Sequence, residues 1–205
     1  MVILPLLAVL LIGCAQVPVD FTRFTLLADR NNARTVLINE ENFAEWESPA
    51  FKIDAIVYQY KQVVVAELII INHADKDIEP TDYKITLTDG RDYKPLRLLT
   101  RDELTAIKNR VAGGTTGSMQ DQVIEGTMNT ILATMNVPTK DKLLEIIQQG
   151  IDNYFAFRPI YAKERRQGVL CYLPDFTLEY PLTVSLKFKQ EGVDFRFMPI
   201  KNKGG

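Results

Sequence analysis

Cysteine and histidine are scarce in this chain of 205 residues, which has two cysteines and one histidine. That inventory excludes a disulfide framework and a Cys/His zinc site, and we expect no metal and no cofactor. Basic residues are not in excess either, because 24 lysines and arginines stand against 26 aspartates and glutamates. Nucleic-acid-binding domains need a cationic surface that displaces phosphate counterions, so we expect no nucleic acid among the partners.

What the chain does have is the composition of an ordinary folded domain. Hydrophobic residues make up 46% of it and charged residues 24%. This balance provides enough apolar side chains for a buried core. The length fits one domain, with or without an insertion, and we assign that domain to residues 21–205.

The N-terminus is uncharged up to Asp20 and strongly apolar, with MVILPLLAVLLIG directly before Cys14. An apolar helix needs about 20 residues to cross a bilayer, and this run is shorter. A short apolar run that ends at a small residue is typical of a secretory signal. We therefore predict that residues 1–13 are a signal peptide. A buried N-terminal segment is the alternative.

The last four residues of this stretch, Leu11-Ile12-Gly13-Cys14, resemble the lipobox of bacterial lipoproteins. The resemblance implies cleavage before Cys14, a diacylglyceryl group on its sulfur and an acyl chain on its amine. Because Ala15 and not aspartate follows, it also implies sorting to the outer membrane, with the periplasmic face expected. Residues 14–20 then form a lipidated tether to the domain, and its six residues from Ala15 to Asp20 span at most roughly 20 Å.

Most of the remaining sequence has the pattern of β-strands. The densest run is VVVAELIIIN at 63–72, which is rich in β-branched residues. Alternation of apolar and polar residues predicts antiparallel strands with one buried face. Such alternation is found at 83–88, 182–188 and 193–197, and further strands are expected at 21–27, 55–60 and 93–96.

Residues 100–156 have a helical pattern instead. Thr100 and Glu103 fit a capping box, and Leu104, Ile107 and Val111 follow at helical spacing. Two more helices are predicted, one from Ser118 with its apolar stripe at 124–135, and one capped by Thr139 after the breaker Pro138, with its stripe at 143–154. Such an insertion either covers an open part of the sheet or binds a partner, and both roles remain open.

The strands around this insertion resemble bacterial extracytoplasmic immunoglobulin-like domains. The resemblance rests on Ile71-Asn72-His73, a polar bend to Pro80, the run from Tyr83 to Gly90, and Gly168-Val169-Leu170-Cys171-Tyr172-Leu173-Pro174. It covers about 50–98 and 158–200. It implies a mainly β fold built on an antiparallel immunoglobulin-like sandwich. The insertion of about three helices departs from that family and is predicted from the pattern at 100–156 alone. These domains share no common activity, so it implies no catalytic residue.

Three segments contain residue types that sometimes bind ligands. The run Gly113–Ser118 precedes a predicted helix and resembles an anion-binding loop, but it lacks the lysine of a phosphate loop. His73 is a lone histidine without a nucleophile motif. The bend after it is acidic and offers weak calcium ligands, although Pro80 breaks any EF-hand pattern. Its carboxylates are Asp75, Asp77, Glu79 and Asp82. For each segment, a structural role is favoured over ligand binding.

Two further features are the second cysteine and a basic cluster. Cys171 stands among large apolar residues, so we expect a buried and inert thiol, with Leu170 and Tyr172 on the opposite face of the strand. The cluster Lys163-Glu164-Arg165-Arg166 is interpreted as a solvated turn, with a contact to lipid headgroups or an acidic partner as the alternative.

These patterns together predict a protein of the cell envelope that is anchored by lipid at Cys14. We expect a non-catalytic binding or scaffold module whose partner is an envelope protein, contacted through the insertion at 100–156. The alternatives are a carrier of a small apolar ligand and, with less support, a hydrolytic enzyme.

Overall fold

The fold of the computed structural model is mainly β and antiparallel, as the sequence predicts. The structure describes residues 21–27, 32–90, 93–113, 137–174 and 177–200. These contain eleven strands and two α-helices. The strands are β1 Phe21–Leu26, β2 Arg34–Ile38, β3 Glu41–Glu47, β4 Phe51–Tyr60, β5 Val63–Asn72, β6 Tyr83–Asp89, β7 Lys94–Pro95, β8 Arg97–Leu98, β9 Arg165–Leu173, β10 Leu182–Phe188 and β11 Gly192–Pro199, and the helices are α1 Arg101–Val111 and α2 Val137–Asp152.

The strands form one nearly closed sheet in the order β7-β6-β10-β11-β1-β4-β5-β9-β8, with β2 and β3 as a hairpin attached to β4. An immunoglobulin-like sandwich has two separate sheets. In this protein two short segments, β1 and the stretch that contains β7 and β8, join the two halves of the sheet. The first half of β1 pairs with β4 and its second half with β11, while β7 pairs with β6 and β8 with β9. Closure is favourable because it removes unpaired strand edges.

The core lies inside this sheet and follows the alternation seen in the sequence. Residues at alternate positions of β6 and β11 are buried while their neighbours are more exposed, and β10 follows the same pattern except that Thr183 is also buried. They form one cluster with the inward side chains of β4, β5 and β9. The predicted period of two is therefore confirmed, and burial of these side chains, at about 1.5–3 kcal/mol each, is the main stabilising term of the domain.

Both described helices pack against the outer face of the sheet. Thr100 caps α1 through the predicted capping box with Glu103, and Leu104, Ile107 and Val111 are buried. In α2 the buried stripe is Leu143, Ile146 and Ile147, and it joins the α1 stripe over Val65, Val169 and Cys171. Covering the sheet is thus what these two helices do. The third helix that the sequence predicts, over 118–135, lies outside the described residues.

Two boundaries of the insertion differ from the prediction. Helix α2 begins at Val137 and not at Thr139, with Pro138 in its first turn, where a missing N–H costs nothing. It ends at Asp152, before 156, because Phe155 belongs to the inner core and is fully buried. The helical insertion begins and ends beside the same edge of β9. The N–H of Leu99 donates to the carbonyl oxygen of Cys171, and the N–H of Phe155 donates to the carbonyl oxygen of Val169.

Candidate functional site

Several residues singled out in the sequence lie outside the described residues. These are the predicted signal peptide at 1–13, the lipidation residue Cys14, the rest of the tether to residue 20, and Gly114–Ser118 of the glycine-rich loop. Gly113, the first residue of that loop, follows α1 with a positive φ of 93°. That conformation favours glycine and suits the end of a helix.

Cys171 is buried as predicted. Its side chain is fully buried under α1 and α2, whereas Leu170 and Tyr172 point into the inner core. Burial raises the pKa of the Cys171 thiol to about 12, so it remains protonated and unreactive at neutral pH. Cys171 is therefore a packing residue.

Three of the four carboxylates of the acidic bend contact neighbouring loops. Asp75 pairs with Lys163, with Oδ1 2.8 Å from Nζ. Asp77 accepts the N–H of Ala162 at 2.8 Å, and Asp82 pairs with Lys189 at 2.6 Å. In the described part of the chain no three His, Cys, Asp or Glu side chains are placed to hold a metal ion. The acidic bend therefore has a structural role and connects neighbouring loops.

His73 and the basic cluster also have structural surroundings. The backbone of His73 is held by Ala50 and Lys163, while its Nε2 atom is buried without a hydrogen-bond partner. Arg166 is buried and donates to the carbonyl oxygens of Arg158 and Pro159 and to Glu164. Because Arg166 faces inward, the four residues at 163–166 do not form one basic surface.

A polar cleft of about 390 Å³ lies where the end of α2 meets the outer face of β5 and β9. Gln167 donates to Glu67 across its floor at 2.7 Å. Carboxamides and one carboxylate suit a polar ligand, so this cleft gives no support to a carrier of small apolar molecules. Its lining residues are Glu67, Gln149, Asn153, Gln167, Gly168 and Val169.

Two buried carboxylates that sequence reasoning missed face each other across β3 and β4. Glu45 and Asp54 are directly opposite in the register, and each residue is only 3% exposed. Glu45 contacts Lys52 at 2.6 Å and also pairs with Arg34. One oxygen of Asp54, Oδ1, is buried without a partner. Register alone brings these side chains together, because they are nine positions apart in the sequence.

The two carboxylates have opposite protonation tendencies. Burial raises the pKa of Asp54; nearby Lys52 opposes this effect, and Glu45 adds to it. Burial also disfavours ionisation of Glu45, but hydrogen bonds from Lys52 and Arg34 outweigh it, so the pKa of Glu45 is lowered. Glu45 is therefore the charged member and Asp54 the member that retains its proton to higher pH.

This asymmetry predicts that Asp54→Asn stabilises the protein at neutral pH. A group with a raised folded-state pKa contributes stability below its unfolded pKa, and that contribution is lost as pH rises through the folded pKa. Asparagine keeps a donor toward Glu45 and cannot ionise. We expect a gain of about 1 kcal/mol in the free energy of unfolding at pH 7.5. The gain should shrink at pH 4.5, as measured by urea unfolding at both pH values.

The matched control is Asp194→Asn, because burial opposes ionisation of Asp194 but Lys187 outweighs it, so the pKa of Asp194 is lowered. Its replacement should instead reduce stability at pH 7.5. Equal effects of the two substitutions would contradict this assignment.

The hairpin β2–β3, residues 34–47, is the second feature that sequence reasoning missed, and we name it the acidic hairpin. It carries Arg34 and four glutamates, at 40, 41, 45 and 47, for a net charge of −3. The turn residues Asn39 and Glu40 both have positive φ, 49° and 68°, as a two-residue type I′ turn requires. Leu37 is 71% exposed, so its apolar side chain faces solvent.

Comparison with protein-family models, with curated protein sequences and with solved structures finds no match to this chain. No helix among the described residues has both the length and the apolar character needed to cross a membrane.

Proposed function

We propose that the protein is a lipid-anchored, non-catalytic protein-binding module of the cell envelope, held at the outer membrane through Cys14. The observation that carries the binding role is the acidic hairpin, whose strand β2 has one edge unpaired among the described residues and displays Leu37 to solvent. An exposed apolar strand edge is a ready template for association. The lipobox-like residues at 11–14 support the anchor.

An immunoglobulin-like domain is part of this proposal. Its support is the arrangement of β4, β5 and β9 opposite β6, β10 and β11, with one core shared between them. The junctions through β1 and through β7 and β8 are additions to that arrangement. Domains of this architecture serve many functions, and the fold is compatible with a binding role.

The surroundings of the reactive groups favour binding over catalysis. The only histidine, His73, has no hydrogen bond to a serine, threonine or cysteine in the described part of the chain, and Cys171 is buried and protonated. Hydrolysis by a nucleophile requires such a group in contact with a base. The polar cleft holds Glu67 and carboxamides, which bind polar groups but lack that pair.

Our expectation from the sequence placed the partner on the insertion at 100–156. The apolar stripes of α1 and α2 are already used to cover the sheet. Their outward faces are polar, with Glu145 and Lys142 paired to each other at 2.6 Å. The proposal therefore places the principal contact on the acidic hairpin.

The test combines lipid labelling with site-specific photo-crosslinking in a bacterial host with two membranes. The full chain is expressed with a photoreactive residue at Leu37 or, as a control on α2, at Glu145, whose side chain is 67% exposed. We expect fatty-acid label on the protein and specific protein crosslinks from position 37 only. Cys14→Ser should lose the label and remain unprocessed, while Cys171→Ser should keep it.

Two results would contradict the proposal. Label on the Cys14→Ser protein would refute the anchor. Crosslinks from position 145 with none from position 37 would return the partner site to the insertion.

A further inference from the structure

Strand β2 presents an open edge that is long enough to accept another strand. In the described residues it pairs with β3 alone, over all of Arg34–Ile38. Five residues extend about 17 Å, which is the length of a typical strand in a globular protein. A row of unpaired N–H and C=O groups along such an edge can accept an extended peptide, the mode of recognition known as β-augmentation.

The hairpin geometry determines which backbone groups face outward. In a hairpin with a two-residue turn, the flanking residues exchange both hydrogen bonds, and these are Ile38 and Glu41. Hydrogen-bonded and non-hydrogen-bonded pairs then alternate along an antiparallel ladder. Leu37 and Thr35 therefore direct their N–H and C=O groups away from β3, toward the open edge.

The edge lacks the usual protection against strand addition. Natural sheets block their edges with lysine, proline or a bulge. The sequence of β2 is RTVLI, with no proline, and its single charge, Arg34, is held by Glu45. The register with β3 is continuous from Arg34 to Ile38, without a bulge. Leu37 is exposed, and Val36 and Ile38 are half-buried, so an incoming strand would find apolar contacts on both faces.

Charge selects among the strands that could bind here. Two copies of the chain paired through β2 would bring two hairpins of net charge −3 together, which is unfavourable. Exposed Glu40 and Glu41 lie at the end of β2 next to the turn. An antiparallel incoming strand has its N-terminal end there. Lysine or arginine at that end complements the two glutamates.

We propose, on the basis of the protein-binding role above, that the partner contributes an extended segment with basic residues at its N-terminal end, which adds to β2 as an antiparallel strand. Backbone bonds to Thr35 and Leu37 supply affinity. The acidic hairpin supplies the preference for a basic segment. The interaction is therefore salt-dependent.

The test uses purified full-length protein and a fluorescent peptide of two lysines followed by alternating valine and threonine. We expect the peptide to bind. Replacing its lysines by glutamate should weaken binding about tenfold, as should Thr35→Pro, which removes an outward N–H. Proline is tolerated at an edge strand when its N–H would face solvent. Thr35→Val, which keeps the N–H, should bind within about twofold of the unmodified protein.

If Thr35→Pro fails to fold, a second variant, Leu37→Lys, tests the same proposal. Leu37→Lys leaves the backbone unchanged at an exposed position, places a blocking charge on the edge, and should also weaken binding about tenfold. Amide hydrogen exchange then locates the peptide, since the amides of Thr35 and Leu37 should be unprotected in the free protein and protected in the complex.

Other occupants of the edge give different results, and each would overturn the proposal. Protection of these two amides in the free protein at high dilution would show that another part of the same chain covers the edge. Protection that appears with increasing protein concentration would indicate a second copy. Equal binding of lysine and glutamate peptides would refute charge selection. Crosslinks from position 37 that persist in Thr35→Pro would refute only this inference and leave the proposed function intact.

Discussion

Replacement of residues 100–152 by a short Gly/Ser linker should give a chain that does not fold. The ends of this segment lie close together, because Leu99 and Asn153 are bonded to residues of β9 only two positions apart. A short linker therefore closes the gap without strain. However, the replacement removes the cover over Val65, Val169 and Cys171. Loss of this outer cluster, at about 1.5–3 kcal/mol per buried side chain, is comparable to the whole stability of a typical domain, about 5–15 kcal/mol.

Circular dichroism and size-exclusion chromatography of the linker variant check this expectation. A milder form of the same test is Leu143→Ala, which truncates a fully buried side chain of α2 and should cost about 2–5 kcal/mol. Its control on the exposed face, Glu145→Ala, should change stability by less than about 0.5 kcal/mol. A folded linker variant would show that the helices are dispensable for the sheet and would favour a role in partner binding.

Gly168→Ala should destabilise the protein by about 3 kcal/mol or more. A Cβ atom at this position would lie 2.6 Å from the Cα of Phe155 and 2.9 Å from its backbone nitrogen. Backbone atoms cannot rotate away as the end of a side chain can. The segment at 153–155, which pairs with Val169 and inserts the fully buried Phe155 into the core, would have to move. Overpacking of this kind with loss of core contacts belongs to the most costly class of single substitutions.

Denaturant unfolding of Gly168→Ala measures the effect, with Gln167→Ala as the control at the neighbouring exposed position. The control should remain within about 0.5 kcal/mol of the unmodified protein. Stability of Gly168→Ala close to that of the control would mean that the 153–155 segment does not pack against β9 as described.

Local patterns predicted a large part of this fold. The capping box at Thr100 and Glu103 is confirmed. It could be predicted because its hydrogen bonds join residues only three apart in the chain. Strand β5 has the bounds that its β-branched run predicts. The opposite orientations of Cys171 and Leu170 follow from the period of two along a strand. Each of these features depends on a few consecutive residues, so the sequence contains all the necessary information.

The features that carry the proposals depend on pairing, and no local pattern showed them. Strand β3 buries Phe43, Ala44 and Glu45 in succession, so it has no alternation. Its turn, Asn39-Glu40, lacks the glycine that makes a type I′ hairpin easy to recognise. The facing of Glu45 and Asp54 requires the register between β3 and β4. The β-branched and apolar run at 35–38 before an asparagine was the one available signal for this hairpin.

The pairing of β1 with β11 has a consequence for the order in which the chain can fold. Phe24 pairs with Pro199, so the first described strand completes its hydrogen bonds only with the last. A chain that emerges N-terminus first, from a ribosome or through a translocon, must keep β1 without its partner until nearly the whole sequence is out. Contacts between such distant residues form late and slowly. A truncated product that lacks residues 192–199 therefore keeps only the pairing of the first half of β1 with β4.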